Sequence, residues 1–383
     1  MRRRFGTALR LVLPPLIAFA LPMLLMWSAA KSVQVDFFDS NAWNKWDAGH
    51  YLSIATKGYD FHPCGPDWCG NAGWMPGYPW MIAGLIKISR MTAPNAAVAI
   101  SSFFQLATLV LLWIGFLEAK LTPQNLLTLA FASVFPGVVY QHAIFPIAPF
   151  TFFVMLSLFF ASKERWIFAG LAGAVAAFTY STGFVLALVY GLWTLGQAAL
   201  SITKSEQGWK AAIRSQWRAV AFRFAATSLL TALGFGLMML VFKHDVGAWD
   251  APFKVQQKYG VMSNPLVVYI DKIRPAFASP GDGAVVGFQT LVISLLAIGF
   301  AFSAERNGWW TDPRDSLLLL YYLGLWATPM TVAFIAAHRA EAYLLPAVLL
   351  TRRLPIAIQV TLLILAVLFV QPVAHLYLKG NLA

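Results

Sequence analysis

The segment from Asp36 to Trp80, DFFDSNAWNKWDAGHYLSIATKGYDFHPCGPDWCGNAGWMPGYPW, gathers residue types that can do chemistry. It holds Asp36, Asp39, Asp47, Asp60 and Asp67 of the chain's sixteen acidic residues, together with both cysteines. Asp47, inside WDAGHY, is the sharpest candidate. A carboxylate at a membrane surface can take a proton from a hydroxyl as that hydroxyl attacks an activated carbon. The same residue can equally cap a short helix, a common role for aspartate. His50 follows three residues later, so on a helix the two share a face. It suits a hydrogen bond to the acid, a substrate contact, or an ordinary interfacial histidine. Asp36 and Asp39 suit acceptor positioning or a metal, and suit equally well the simple task of keeping a span end in water. Cys64 and Cys69 suit a disulfide across Pro66 in an oxidising compartment. Free thiols and a metal site are the alternatives, although His50 and His62 complete no common zinc spacing.

Two later clusters carry similar potential. HRAEAY contributes His338, Arg339, Glu341 and Tyr343 between apolar runs. Charges in such positions are costly and often functional. Arg339 can grip a phosphate bidentately, with His338 beside it, or can pair structurally with Glu341. KVQQKY contributes Gln256, Gln257, Lys258 and Tyr259. Amides and a phenol suit sugar hydroxyls and a lysine suits phosphate, while a solvated loop face would read the same way. His142, in VVYQHAIF, reads as a structural histidine.

These residues need elements to hold them, and the composition says which. Of 383 residues, 59% are hydrophobic and 11% charged, against about 25% charged in soluble domains. Apolar runs recur at 11–30, 96–117, 125–140, 149–162, 166–180, 182–200, 219–242, 284–303, 316–335, 341–351 and 355–375. The expectation is an all-α polytopic membrane protein, one integral domain over 1–383, with about eleven transmembrane helices. The net charge of +12 lies in short loops, as positive-inside orientation requires. It points to membrane lipids rather than nucleic acid as the partner.

Orientation fixes the ambiguous segment 74–90, WMPGYPWMIAGLIKISR. If it does not cross, the basic loops near Lys163, Lys204–Arg218, Arg306–Arg314 and Arg352 all fall in the cytoplasm with the N-terminus. It is therefore expected to be interfacial or re-entrant. The same parity turns 31–95 into a first outward loop with interfacial helices and 244–283 into a second long outward loop. It also places 138–149 and 336–343 on that side, so four polar segments converge on the non-cytoplasmic face. In a bacterium that would be the outer side of the inner membrane. No Walker loop, HExxH or GxSxG is present, so any chemistry falls to loops and span ends.

Several stretches, taken in order, resemble a known family. WDAGHYLSIATKGY followed by WMPGYPWMI, then FPGVVYQHAIFPIAPFTFFVMLSLFF, WIFAGLAGAVAAFTYSTGFVLALVYGLW, VQQKYG and HRAEAYLLPA are similar to the motif series of the GPI mannosyltransferase 2 family and its bacterial relatives. The resemblance implies a GT-C fold with a catalytic acid in the first outward loop. It implies an inverting transfer of a sugar, mannose above all, from a polyprenyl- or dolichyl-phosphate donor to a hydroxyl-bearing acceptor. The family's WD aspartate falls on Asp47, its late arginine on Arg339 and its glutamine on Gln256 or Gln257. The chain departs from the pattern at TYSTG, where Tyr180 stands at an arginine position, and around Pro146–Phe150, which lacks the usual acid. No cofactor is implied; a divalent metal is compatible with the residues but not required by them. A transporter or lipid flippase, and a non-catalytic subunit of a membrane assembly, are the competing expectations.

Overall fold

The computed structural model describes residues 2–206, 208–257, 264–278, 281–331 and 337–382. The chain opens on a long helix, α1 (Arg2–Ser32), followed by an irregular stretch and α2 (Ala48–Lys57). A two-stranded hairpin comes next, β1 (Phe61–Cys64) against antiparallel β2 (Asp67–Gly70), with Cys64 opposite Asp67 and His62 opposite Cys69. Then come α3 (Gly77–Ser89), α4 (Ala93–Val110), α5 (Pro123–Ser133) and the short α6 (Val139–His142). The helices α7 (Ile147–Ser162), α8 (Trp166–Thr179) and α9 (Gly183–Thr203) follow closely. The next two, α10 (Trp209–Phe224) and α11 (Leu230–Val246), run on through a wide turn as one 38-residue rod. Short helices α12 (Ala251–Gln257), α13 (Pro265–Ile273) and α14 (Pro275–Ala278) lead to α15 (Asp282–Asn307) and α16 (Pro313–Thr331). The chain closes with α17 (Ala337–Ala340), α18 (Val348–Thr351) and α19 (Ile356–Lys379).

Six of the described helices are long and apolar enough to cross a membrane, and α7 and α8 are shorter apolar helices. Their outward faces stay apolar, as at Leu195, Leu233, Leu240 and Leu368, all exposed, because lipid rather than water surrounds them. The protein is an integral, multi-pass membrane protein. The expected count of eleven spans does not map helix for helix. The run at 125–140 breaks at Phe135–Pro136–Gly137, where α5 has ended and Gly137 adopts a positive φ of 81°. The run at 341–351 is a 3-10 stretch, Glu341–Ala347, continued by α18. α3, at 13 residues, rises about 20 Å, short of a ~30 Å hydrocarbon core.

Small residues let the central helices close on one another, the usual device where lipid supplies no hydrophobic drive between helices. A Cβ on Gly170 would lie 2.0 Å from the Ala226 carbonyl oxygen, and one on Gly234 2.0 Å from that of Ala174. This clamps α8 between α10–α11 and its neighbours. The hairpin is closed by a Cys64–Cys69 disulfide, Cα–Cα 5.8 Å. Phe61 stacks on Trp68 at 4.3 Å, and the Trp68 ring in turn faces the Lys254 ammonium of α12 at 5.4 Å. The hairpin thereby braces α12 over the space between α2 and α9.

Candidate active site

A cavity of about 1070 Å³ opens where α2, α9, α11, α12, α16 and α17 meet. Asp47 and Arg339 both line it. Arg339 Nη1 donates to Asp47 Oδ2 at 2.5 Å, joining residues 292 apart in the sequence. The Asp47 side chain keeps 29% of its surface and that of Arg339 19%, so the pair is held but reachable from the cavity.

Local structure shows why Asp47 points there. It occupies the N-cap position of α2, yet its side chain makes no capping bond. A capping aspartate is worth about 1 kcal/mol to its helix. Here the carboxylate forgoes that bond and turns to Arg339. Trp46, just before it, sits at φ 49°, in the left-handed region that a bulky side chain rarely enters. Such strain persists where surrounding structure enforces it. The enforcement is visible: Trp46 lies edge-on to Tyr377 at 5.1 Å, and Tyr377 donates from its hydroxyl to the Trp43 carbonyl at 2.9 Å.

Arg339 is positioned from behind. Gly137 packs its backbone against the segment that carries it; a Cβ at 137 would lie 2.8 Å from both the Ala342 nitrogen and the His338 carbonyl oxygen. Gln141 of α6 adds a bond from Nε2 to the Ala342 carbonyl at 3.0 Å. Glu341, the alternative partner for Arg339, is buried and instead accepts from Gln289 Nε2 of α15 at 2.5 Å. Arg339 has five N–H donors. Its Nε is buried without a hydrogen-bond partner among the described residues, while Nη1 is engaged by Asp47. Its guanidinium also lies over Phe145 at 5.6 Å.

The other expected site residues divide clearly. Gln256 lines the cavity and donates from Nε2 to the Gly73 carbonyl at 3.2 Å. Gln257 is exposed on the same helix and is not among the lining residues. Lys258 and Tyr259 lie outside the described residues. His50 stacks on Trp74 at 3.6 Å, and it is Trp74 that faces the cavity. His338 is buried behind Arg339 against Tyr140. Burial, with Arg339 and Lys272 nearby, pushes its imidazole down to about 3, so it stands there as a neutral ring. Tyr343 is buried, and its carbonyl accepts from the Tyr321 hydroxyl. Asp36 and Asp39 are exposed and hold local turns, accepting from the Phe38 and Asn41 amides at 2.9 Å each. Neither lines the cavity.

The walls around the Asp47–Arg339 pair are aromatic: Trp46, Tyr51, Trp74, Tyr140 and Tyr180. Reading the sequence for acids, amides and histidines passes over this set. The signal was present in Trp46 and Tyr51, one residue before and four after Asp47. Away from the pair, α9, α11 and α16 make the lining apolar, with Leu188, Val189, Leu323 and Ala327 among them. Among the described residues no three His, Cys, Asp or Glu side chains converge.

Known structures share this architecture. An archaeal oligosaccharyltransferase, AglB from Archaeoglobus fulgidus, in complex with an inhibitory peptide and a dolichol-phosphate, superposes with a TM-score of 0.51 at 11% identity. The match covers 100% of this chain and 56% of that one. The apo form of the Archaeoglobus fulgidus oligosaccharyltransferase gives 0.49 at 11% identity, covering 97% and 56%. The chain thus spans little more than half the length of these proteins. No family model and no curated protein matches the sequence. The likeness to the AglB complex establishes the fold alone, the GT-C fold.

Proposed function

We propose that this chain is an inverting glycosyltransferase that moves a sugar, mannose by the motif resemblance, from a polyprenyl-phosphate donor to a hydroxyl acceptor. The observation that carries the reading is the orientation of Asp47: a carboxylate in a helix-capping position that leaves its helix unbonded and faces a cavity beside Arg339. The fold belongs to a glycosyltransferase class, and AglB was solved with a dolichol-phosphate. The apolar half of the cavity suits such a carrier here too.

In this reading the donor enters sideways from the bilayer with its phosphate against Arg339. Asp47 accepts the proton of the acceptor hydroxyl. The hydroxyl oxygen forms its bond to the anomeric carbon from the face opposite the phosphate. The bond from that carbon to the phosphate oxygen breaks, and the electron pair leaves with the lipid phosphate. Arg339 neutralises the charge as it develops, a role in which a preorganised cation in a poorly solvated site is most effective. A phosphate leaving group needs no general acid, so one carboxylate suffices, unlike the acid pair of glycoside hydrolysis. Trp74, Tyr51 and Gln256 are placed to contact the sugar. The outward loops 31–95 and 244–283 assemble the site on the non-cytoplasmic face, with the basic loops in the cytoplasm.

Purified protein given polyprenyl-phosphate mannose labelled in the sugar, with a membrane extract as acceptor source, should move label into a new covalent product. Label that crosses a vesicle membrane still attached to its carrier, with no new product, would replace this reading with that of a flippase.

A further inference from the structure

The buried tyrosines divide into two sets. Away from the cavity their hydroxyls bond within the protein. Tyr377 donates to the Trp43 carbonyl at 2.9 Å, Tyr322 to that of Ile293 at 2.8 Å and Tyr78 to that of Ala97 at 3.0 Å. Tyr190 pairs with the Ser157 hydroxyl at 2.6 Å. Such pairing is the usual state of a buried phenol. Tyr51, Tyr140 and Tyr180 are as deeply placed, 3%, 2% and 9% exposed. Yet among the described residues none of their hydroxyls has a hydrogen-bond partner. All three line the cavity. Tyr343 shares the trait but is sealed behind Tyr180, ring centres 6.0 Å apart, and does not reach the cavity.

The three stand differently about the charge pair. Tyr51, four residues past Asp47 on α2, has Asp47 as its strongest charged neighbour. For Tyr140 and Tyr180 that neighbour is Arg339. They approach it from separate elements, Tyr140 from α6 and Tyr180 from the turn between α8 and α9. Each ring is clamped. Tyr140 packs against Phe145, Tyr377 and His338, with ring centres at 5.3, 5.5 and 5.8 Å. Tyr180 packs against Phe150 at 5.4 Å. A clamped ring fixes its phenol oxygen, while the O–H rotates to meet a partner.

The donor and acceptor character of this corner selects its ligand. Arg339 can only donate, and two phenol O–H groups stand beside it. A sugar brings a proton on each hydroxyl oxygen. A phosphodiester brings two anionic oxygens that only accept. We infer that Tyr140 and Tyr180 are further catalytic residues, donating their O–H groups to the non-bridging oxygens of the donor phosphate that Arg339 holds. The inference rests on the transfer reading above and adds the neutral half of the phosphate site to it. Charge on those oxygens rises as the bond to the anomeric carbon breaks. Donors fixed in advance therefore hold the departing phosphate more tightly than the intact donor. Being neutral, they do so without the cost of burying a second cation.

The test uses the full-length protein in detergent. The probe is undecaprenyl phosphate, with undecaprenol as its neutral counterpart, and binding is read from tryptophan fluorescence. Tyr140→Phe and Tyr180→Phe keep the ring and remove only the hydroxyl. Each should weaken undecaprenyl phosphate by about tenfold, the scale of a lost hydrogen bond to a charged group, and leave undecaprenol unchanged. Single-turnover transfer from polyprenyl-phosphate mannose should slow by at least as much. Melting temperatures should hold, because neither hydroxyl bonds within the protein. Suppose Arg339→Ala weakens the phosphate while both phenylalanine variants bind it as the wild type does. The inference is then overturned and the phosphate stays with Arg339. An equal loss of undecaprenol in the phenylalanine variants would overturn it as well, since the effect would not be on the phosphate. A wild type that binds both lipids alike, with no change in Arg339→Ala, would remove the underlying reading instead.

Discussion

Asp47 and Arg339 meet at one end of the cavity on short, irregular segments: a strained Trp46 before one, a four-residue helix and a 3-10 stretch around the other. The opposite end is walled by α9 and α16, regular helices of 21 and 19 residues. The irregular end forgoes a helix cap, holds a bulky residue at positive φ and buries a guanidinium nitrogen without a partner among the described residues. The helical end has little comparable strain and presents mostly apolar side chains. The difference separates two tasks. Fixing a charge pair to within a fraction of an ångström requires segments pinned from several sides. Accommodating a lipid chain requires only a continuous apolar surface of sufficient length.

That contrast can be broken most severely at the pair itself. Exchanging the charges, with Asp47→Arg and Arg339→Asp together, keeps an ion pair but removes a correctly placed base. Transfer should fall by more than about 100-fold, the scale of lost acid–base catalysis, while thermal stability stays close to wild type. Recovery of activity in the exchange variant would make the pair a structural bridge. Arg339→Ala alone should raise the donor KM by about tenfold or more, as expected for loss of a charged hydrogen bond, measured with saturating acceptor. Unchanged donor affinity would put the phosphate elsewhere. Gly137→Ala acts one step further back. A side chain there must adopt positive φ against Ala342 and His338, at a cost of about 1–3 kcal/mol, visible as a lower melting temperature with a matching loss of transfer. The smallest effect belongs to Cys64→Ser with Cys69→Ser. The disulfide closes a loop only five residues in span and stabilises the hairpin by about 2 kcal/mol through chain entropy. The Arg339-dependent step should change little, so a large loss of kcat would show that the hairpin reaches further into the site than its contacts with α12.

Much of this was legible in the chain. WDAGHY marks Asp47 because a carboxylate beside tryptophan in the first polar interruption of an apolar sequence is chemically conspicuous. HRAEAY marks Arg339 for the same reason. Their pairing was not legible, because it spans 292 positions and Glu341 offered Arg339 a nearer partner. Asp36 and Asp39 looked equally conspicuous, yet each serves its own turn two residues on, the local bonding that aspartate makes in many loops. The apolar wall of the cavity could not be read at all. Leu188 and Leu192 face a cavity, but an apolar residue facing a groove and one facing lipid have the same composition and the same spacing. The run at 125–140 is not one helix for a related reason: hydropathy registers Phe135–Pro136–Gly137 as nearly continuous, while backbone geometry breaks the helix there.

The central claim concerns one proton. Single-turnover transfer by purified Asp47→Asn, at saturating donor and acceptor, tests it most directly. The chemical step should slow by at least about 100-fold, with donor affinity held within a few-fold and the protein folded. A single-turnover rate near that of the wild type would contradict it.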